Sequence, residues 1–346
     1  MKLFDKIFKP SKTIQPSALT AITRTEVLEG FSIPGIIYNM QYHFTDLEVY
    51  SDGLMSCWGM VDLEILKDKI NKNWVVSSIP DGQAISIFSL GYWHIDKGQW
   101  EHTKESLYDY IFSLVKKLNP TLENLHNYHG NSSKSIGKAN VAKHFLPNPK
   151  PYYLDNPESF LPKRISGEKF AIFYVYNRII YLAQLSIYKN GHIEITNIPE
   201  KKTYRFDDLQ ELINKGQITS SPKIGETIVI SGLGSFVIKS GDGIDIHLKY
   251  SEFTDKFNEL NGKENSIAKC ARIFNEYKAL PTKKNKGELK EAYEAVPEHQ
   301  RIFVGTMDTK DYEIRLIIYG DIEKERWEEE YGYEYPFDDM PKPIDE

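Results

Sequence analysis

Ile70–Ile95 reads INKNWVVSSIPDGQAISIFSLGYWHI, and Ile213–Ile238 reads INKGQITSSPKIGETIVISGLGSFVI. The two align without a gap at an offset of 143 residues, and eleven of 26 positions are identical. Solenoid repeats run at roughly 20–50 residues, so this period predicts two related domains from an internal duplication. Upstream, Ile36-Ile37-Tyr38 aligns with Ile179-Ile180-Tyr181 at the same offset. Leu47, Tyr50 and Gly53 align with Leu185, Tyr188 and Gly191 at an offset of 138, so copy one is expected to carry five extra residues between these points.

Each copy reads as the same series of elements. An apolar strand (36–50; 170–188) meets a turn at Ser51-Asp-Gly53 or Lys189-Asn-Gly191, residue pairs that supply the positive φ of tight hairpins. A second strand follows (54–61; 192–198), then a short helix (62–72; 206–215) with Leu63, Leu66 and Ile70 near 3.6 spacing in copy one. A further strand (84–95; 227–238) and an amphipathic helix (104–118; 251–260) close the unit. Strands in hairpins mixed with helices predict an α+β class, each domain a mostly antiparallel sheet with helices packed on it.

The expected organisation is an N-terminal extension over 1–35, copy one over 36–125 and a linker over 126–166 that is Gly/Ser-rich, then Pro-rich. Copy two follows over 167–320, with an extra helix at 266–280 and a final β-hairpin from 301–306 and 312–319. An acidic-aromatic tail over 321–346 ends the chain, and Lys283-Lys-Asn-Lys286 reads as a solvated loop.

With 346 residues, 40% hydrophobic and 27% charged, the chain can bury a core in each of two domains. No apolar run approaches the ~18 residues that a membrane helix needs. Lys2, Asp5, Lys6 and Lys9 break any apolar signal core. Cys57 and Cys270 occupy non-equivalent places and suggest no disulfide framework, so a cytoplasmic location is expected. The net charge of −6 is uneven: residues 321–346 hold eleven acids and three bases, a balance of −8. The remainder is near neutral and lacks the basic face of a nucleic-acid binder.

No catalytic constellation stands out. His126 and His129 share an i, i+3 spacing that His94 or His102 could join, yet no established ligand pattern is complete, so no metal is expected. Gly232-Leu-Gly234 and Gly241-Asp-Gly243 fall short of a nucleotide loop, and the Leu-Gly pair recurs at 90–91 as a fold position. Ser77-Ser78 and Ser220-Ser221 have no matching base. Asp62 and Glu64, with Asp81, could be paired carboxylates, against the plainer reading of favourable charge at a helix start. No cofactor is expected. An enzyme remains as an alternative, with a site in copy one near Trp74, Asp81 and His94.

The aromatic residues differ most between the copies. Trp93 is replaced by Phe236, keeping a ring, whereas Trp74 becomes Gln217 and Trp100 faces Gly243. Tryptophan suits partner-binding hot spots because it buries a large area with few rotatable bonds. In the tail, Trp327, Tyr331 and Tyr333 interleave with Glu328, Glu329 and Glu330, where charge would steer a basic protein partner and rings would anchor it. Docking of the rings on the chain's own domain is the competing reading.

Trp58-Gly-Met-Val-Asp-Leu63, Ser78-Ile-Pro-Asp-Gly82 and Leu90-Gly-Tyr-Trp93 resemble a family of uncharacterised bacterial domains with no established activity. The resemblance covers copy one, and copy two is similar to a diverged relative. It implies a shared fold and no catalytic residues. In general character the chain is similar to immunity proteins that neutralise toxins, by analogy alone. The leading expectation is a non-enzymatic protein-binding factor, immunity- or antitoxin-like, that occludes a partner; a structural or assembly module is the third reading.

Overall fold

The computed structural model describes residues 30–123, 125, 135–136, 139–140, 152–155, 163–305 and 310–334. Most of the expected N-terminal extension, most of the 126–166 linker with His126 and His129, and the tail beyond residue 334 lie outside the described residues. The chain folds as α+β in two compact units. Unit one takes in Met1–Phe88, His94–Pro149 and Val229–Lys239; unit two takes in Ser89–Trp93, Lys150–Ile228 and Ser240–Glu346.

In unit one, β1 (Gly30–Asn39) and β2 (Gln41–Tyr50) form an antiparallel hairpin. The sequence reading ran one strand through 36–50; the chain instead reverses at Met40, whose φ is 61°. Two short strands, β3 (Met55–Ser56) and β4 (Met60–Val61), lead into α1 (Leu63–Asn71). Asp62 starts that helix by accepting from the Ile65 amide at 2.8 Å, the favourable helix-start role expected for an acid there. Then come β5 (Val75–Val76), β6 (Ala84–Ile87), β7 (Gly91–Trp100) and α2 (Lys104–Leu118). The sheet order is β7-β6-β2-β1-β5, with β6 parallel to β2. Helix α2 begins at Thr103, which exchanges hydrogen bonds with Ser106, and buries Leu107, Ile111, Leu114 and Val115 at helical spacing. A small separate pair joins β8 (Ser135–Ile136) to β9 (Ala139–Asn140).

Unit two holds β10 (Tyr152–Asp155), β11 (Lys163–Tyr176), β12 (Ile179–Tyr188), β13 (His192–Thr196) and β14 (Lys202–Arg205). After α3 (Leu209–Asn214) and β15 (Ile218–Thr219) the chain runs through β16 (Thr227–Ile230) and β17 (Gly234–Gly243), whose residues 229–239 belong to unit one, and then forms α4 (Ile246–Leu260) in unit two. Here the order is β10-β11-β12-β16, with β13 beside β12 and β15 beside β11. Trp93 belongs to this unit; it is 1% exposed and meets Phe173 edge-on at 5.1 Å.

Both units are closed by the same backbone device. In unit one the Glu101 amide donates to Leu233 at 2.9 Å, and Gly234, at φ 136°, lies against the backbone of Gln99 and Trp100. In unit two the Ile244 amide donates to Leu90 at 3.0 Å, and Gly91, at φ 146°, lies against the backbone of Asp242 and Gly243.

Pairing register corrects the upstream alignment. Ile36 and Ile37 face Val76 and Val75, while Phe173 and Tyr174 face Thr219 and Ile218. Ile36 therefore takes the place of Phe173, not of Ile179. The five-residue difference also moves. Three residues (57–59) join Ser56 to Met60, whereas eight (195–202) join Glu194 to Thr203. The extra residues are in unit two.

The last third holds helices: α5 (Ser266–Ala279), α6 (Lys283–Glu294), α7 (Tyr312–Tyr319) and α8 (Asp321–Tyr331), with a 3-10 turn at Glu298–Phe303. The expected final hairpin is thus corrected. Ile314, Ile317 and Ile318 follow an i, i+3, i+4 spacing and bury against Cys270, Phe274 and Tyr293, and that helical periodicity overrides β-branched propensity. The expected loop at Lys283–Lys286 is the first turn of α6, capped by Thr282, which accepts from the Asn285 amide at 3.1 Å. Cys57 and Cys270 are both buried free thiols. Among the described residues no helix is long and apolar enough to cross a membrane.

Candidate functional site

The site is built in unit one where three chain reversals converge. Helix α1 ends at Asn71; Asn73 turns at φ 57° and the Trp74 amide donates to Lys69 at 2.8 Å, folding Trp74 back beside the helix. The Trp74 carbonyl accepts from the Tyr38 amide at 2.9 Å, fixing the residue at the end of β1. Between β3 and β4 the Cys57 amide donates to Gly59 at 3.0 Å, forcing Trp58 to φ 60° at the hairpin tip. A bulky residue at positive φ is a true outlier, and such strain concentrates at functional sites.

The rings meet. Trp58 packs on His43 at 4.9 Å and stands edge-on to Trp74 at 6.2 Å. The Lys69 ammonium sits 4.6 Å above the Trp74 ring, a cation–π geometry. Trp58 is 52% exposed, while Trp74 is half-buried. The Trp74 Nε1 is buried without a hydrogen-bond partner among the described residues. The cluster offers ring faces, one cation and an imidazole. Those groups suit binding.

The other expected site residues are dispersed. Trp100 is half-buried and its Nε1 donates to Ile79 at 3.1 Å. Asp81 is exposed and accepts from the Gly98 amide at 2.9 Å, a turn-fixing contact. His94 is half-buried on β7. In unit two, Trp327 is 6% exposed, edge-on to Tyr312 at 4.4 Å, so its ring faces its own domain. Glu330 accepts from the Tyr312 hydroxyl. Glu328, Glu329, Tyr331 and Tyr333 are exposed. Among the described residues no group of three or more His, Cys, Asp or Glu side chains could hold a metal ion.

A buried polar cluster in unit two escaped the sequence reading. Lys249, with 0% exposure, donates to the Ser89 carbonyl at 2.9 Å, the Ser89 hydroxyl at 2.5 Å and Glu252 at 2.8 Å. The other oxygen of Glu252 lies 3.7 Å from His299 Nε2, longer than a hydrogen bond. Burial drags the Lys249 ammonium below its usual range, against the pull of Glu252. Burial acts to raise the Glu252 carboxyl, but His299 and Lys249 outweigh it and hold it below the usual carboxylate range. All three ammonium protons are engaged, so the cluster is a joint. The available signal was Lys249, Glu252 and Phe253 at i, i+3, i+4, a charge pair on the buried face of α4.

Comparison with protein families gives two matches. The family described as Domain of unknown function (DUF7638) matches residues 19–122 and 156–264, more than half of the chain. Domain of unknown function (DUF7639) matches residues 265–331, the helical segment from α5 to α8. No curated protein and no solved structure matches the chain.

Proposed function

We propose that this chain, which belongs to the family of the Domain of unknown function (DUF7638), is a non-enzymatic protein-binding module that engages its partner through His43, Trp58 and Trp74. The observation that carries the reading is Trp58, held at positive φ, 52% exposed, with its ring nearly perpendicular to that of Trp74. An exposed tryptophan backed by a second ring is the kind of anchor that dominates interface energetics. Occlusion of a partner, in the manner of an immunity protein, is the form of action that this module best fits. The enzyme alternative is weakened by Asp81, whose carboxylate is engaged in a turn.

We also read the chain as an internal duplication. Support comes from the eleven identities in 26 positions, the shared pairing pattern of the β1–β2 and β11–β12 hairpins, and the two segments matched by one family.

The test is affinity capture from the native cell extract with the full chain and with Trp58→Ala, both checked for native circular dichroism. A stoichiometric protein captured by the first and lost by the second is the expected result. Equal capture by both would remove this surface from the reading.

A further inference from the structure

Unit one, taken by itself, closes on a stretch from the second family-matched segment, Val229–Lys239. Within this unit the Leu233 carbonyl accepts from the Glu101 amide, and the Gly232 carbonyl accepts from His102 Nε2 at 3.0 Å. Gly232 lies beside the Tyr110 hydroxyl, and Gly234 lies against the backbone of Gln99 and Trp100. Leu233 and Phe236 are buried there.

Unit two, taken by itself, closes on a stretch from the first matched segment, Ser89–Trp93. Within this unit the Leu90 carbonyl accepts from the Ile244 amide, and the Ser89 carbonyl accepts from Lys249 at 2.9 Å. Gly91 lies against the backbone of Asp242 and Gly243, and Trp93 packs on Phe173. Leu90 and Trp93 are buried there.

The two closures are reciprocal residue for residue. Leu90 and Leu233, Gly91 and Gly234, Gln99 and Asp242, and Glu101 and Ile244 each lie 143 positions apart. In unit one the later member of the alignment gives the turn; in unit two the earlier member does. Both turns hold positive φ, 51° at Ser89 and 75° at Gly232. A tandem of self-contained domains would close each unit with its own turn, whereas exchange of an identical element between two partners gives this crossed pattern.

Resting on the duplication reading above, we propose that copy one and copy two are the halves of a reciprocally exchanged pair, each an incomplete fold whose partner is a second copy of that fold. The turn 88–91 of copy one is the ligand of Asp242–Ile244 and Lys249. The turn 231–234 of copy two is the ligand of Gln99–His102. Recognition resides in these turns, and the peptide link between the copies supplies effective concentration.

The test places a protease site within 141–149 of the full chain and cuts it after folding. Expected is a nicked chain that elutes as one species with native circular dichroism. Its urea midpoint should rise with protein concentration, because unfolding releases two fragments, while that of the uncut chain stays constant. Amide exchange at Glu101 and Ile244 should remain slow in the nicked chain. Gly234→Ala, which sets a Cβ against the Gln99 carbonyl, should weaken association of the fragments by about tenfold or more and speed exchange at Glu101. Gly287→Ala, with open space around it, should change neither. Fragments that separate, each with native circular dichroism and a concentration-independent midpoint, overturn the exchange and leave the duplication standing as two self-contained copies. One fragment folded alone and the other unfolded overturns both, because equivalent copies must fail alike. A nicked chain that stays associated but is indifferent to Gly234→Ala overturns the turns as the docking elements.

Discussion

The Lys249 ammonium, with no surface in solvent, donates to the carbonyl of Ser89, a residue 160 positions earlier held at φ 51°. One side chain thus ties helix α4 to the turn that opens β7. Removing it leaves Glu252 buried beside His299 with no ammonium. Breaking a buried ion pair from one side typically costs about 3–5 kcal/mol. Lys249→Ala is therefore expected to lower the urea-unfolding free energy by about that much, and Lys249→Met together with Glu252→Gln by clearly less. Equal losses in the two variants would show that the volume of the chain matters and the charge pair does not.

Glu252 also sets a pH dependence. Its folded carboxyl is held below the ordinary range, so its stabilisation is present above the unfolded value near ~4.3 and is lost as pH falls through the folded value. Unfolding free energies measured from pH 7 to 3 should drop more steeply for the native chain than for Glu252→Gln. Glu194, lowered despite burial by Lys201 and Tyr188, should behave likewise on Glu194→Gln.

Gly91 and Gly234 allow the strands that close each unit to approach backbone to backbone. A Cβ at either would collide with the carbonyl of Asp242 or of Gln99, at a φ that L residues rarely adopt. Gly91→Ala and Gly234→Ala are each expected to cost more than about 2 kcal/mol in denaturant unfolding, whereas Gly287→Ala, with open space around it and inside α6, should stabilise by a few tenths up to about 1 kcal/mol.

Trp327 and its acidic neighbours separate cleanly. Trp327→Ala should destabilise the α7–α8 contact by about 3 kcal/mol or more, because its ring is buried on Tyr312 and Leu316. Reversal of the exposed Glu328 and Glu329 to Lys should leave stability within about 0.5 kcal/mol. If that double reversal also leaves partner affinity unchanged, the tail has no steering role.

The cysteines give a direct check on the cores. Burial pushes the Cys57 thiol up to about 11 and the Cys270 thiol up to about 12. Neither should react with a disulfide reagent at pH 8 in the native chain, and both should react in guanidinium.

Much of the fold was legible in the sequence because it rests on local spacing. The helix start at Asp62, the Gly53 and Gly191 turns and the α+β class follow from charge at a helix start, positive φ and periodicity. The 301–319 hairpin failed because YEIRLIIY carries both a strand-like composition and a helical spacing. Only a core into which Ile314, Ile317 and Ile318 could pack decided between them. Of the candidate site, Trp74 was marked by its mismatch with Gln217. Trp58 was not, because its isolation follows from a shortened hairpin that only pairing register places.

The sequence by itself determined the α+β class, the turns at Gly53 and Gly191 and the helix that starts at Asp62. Those properties depend on neighbours within a few residues. Tertiary structure decided which of the equivalent strand residues face one another, that Lys249 reaches back to Ser89, and that Trp58 meets His43 and Trp74. These contacts join residues from about 15 to 160 positions apart. Their partners are fixed by sheet register and side-chain packing, which no local spacing encodes.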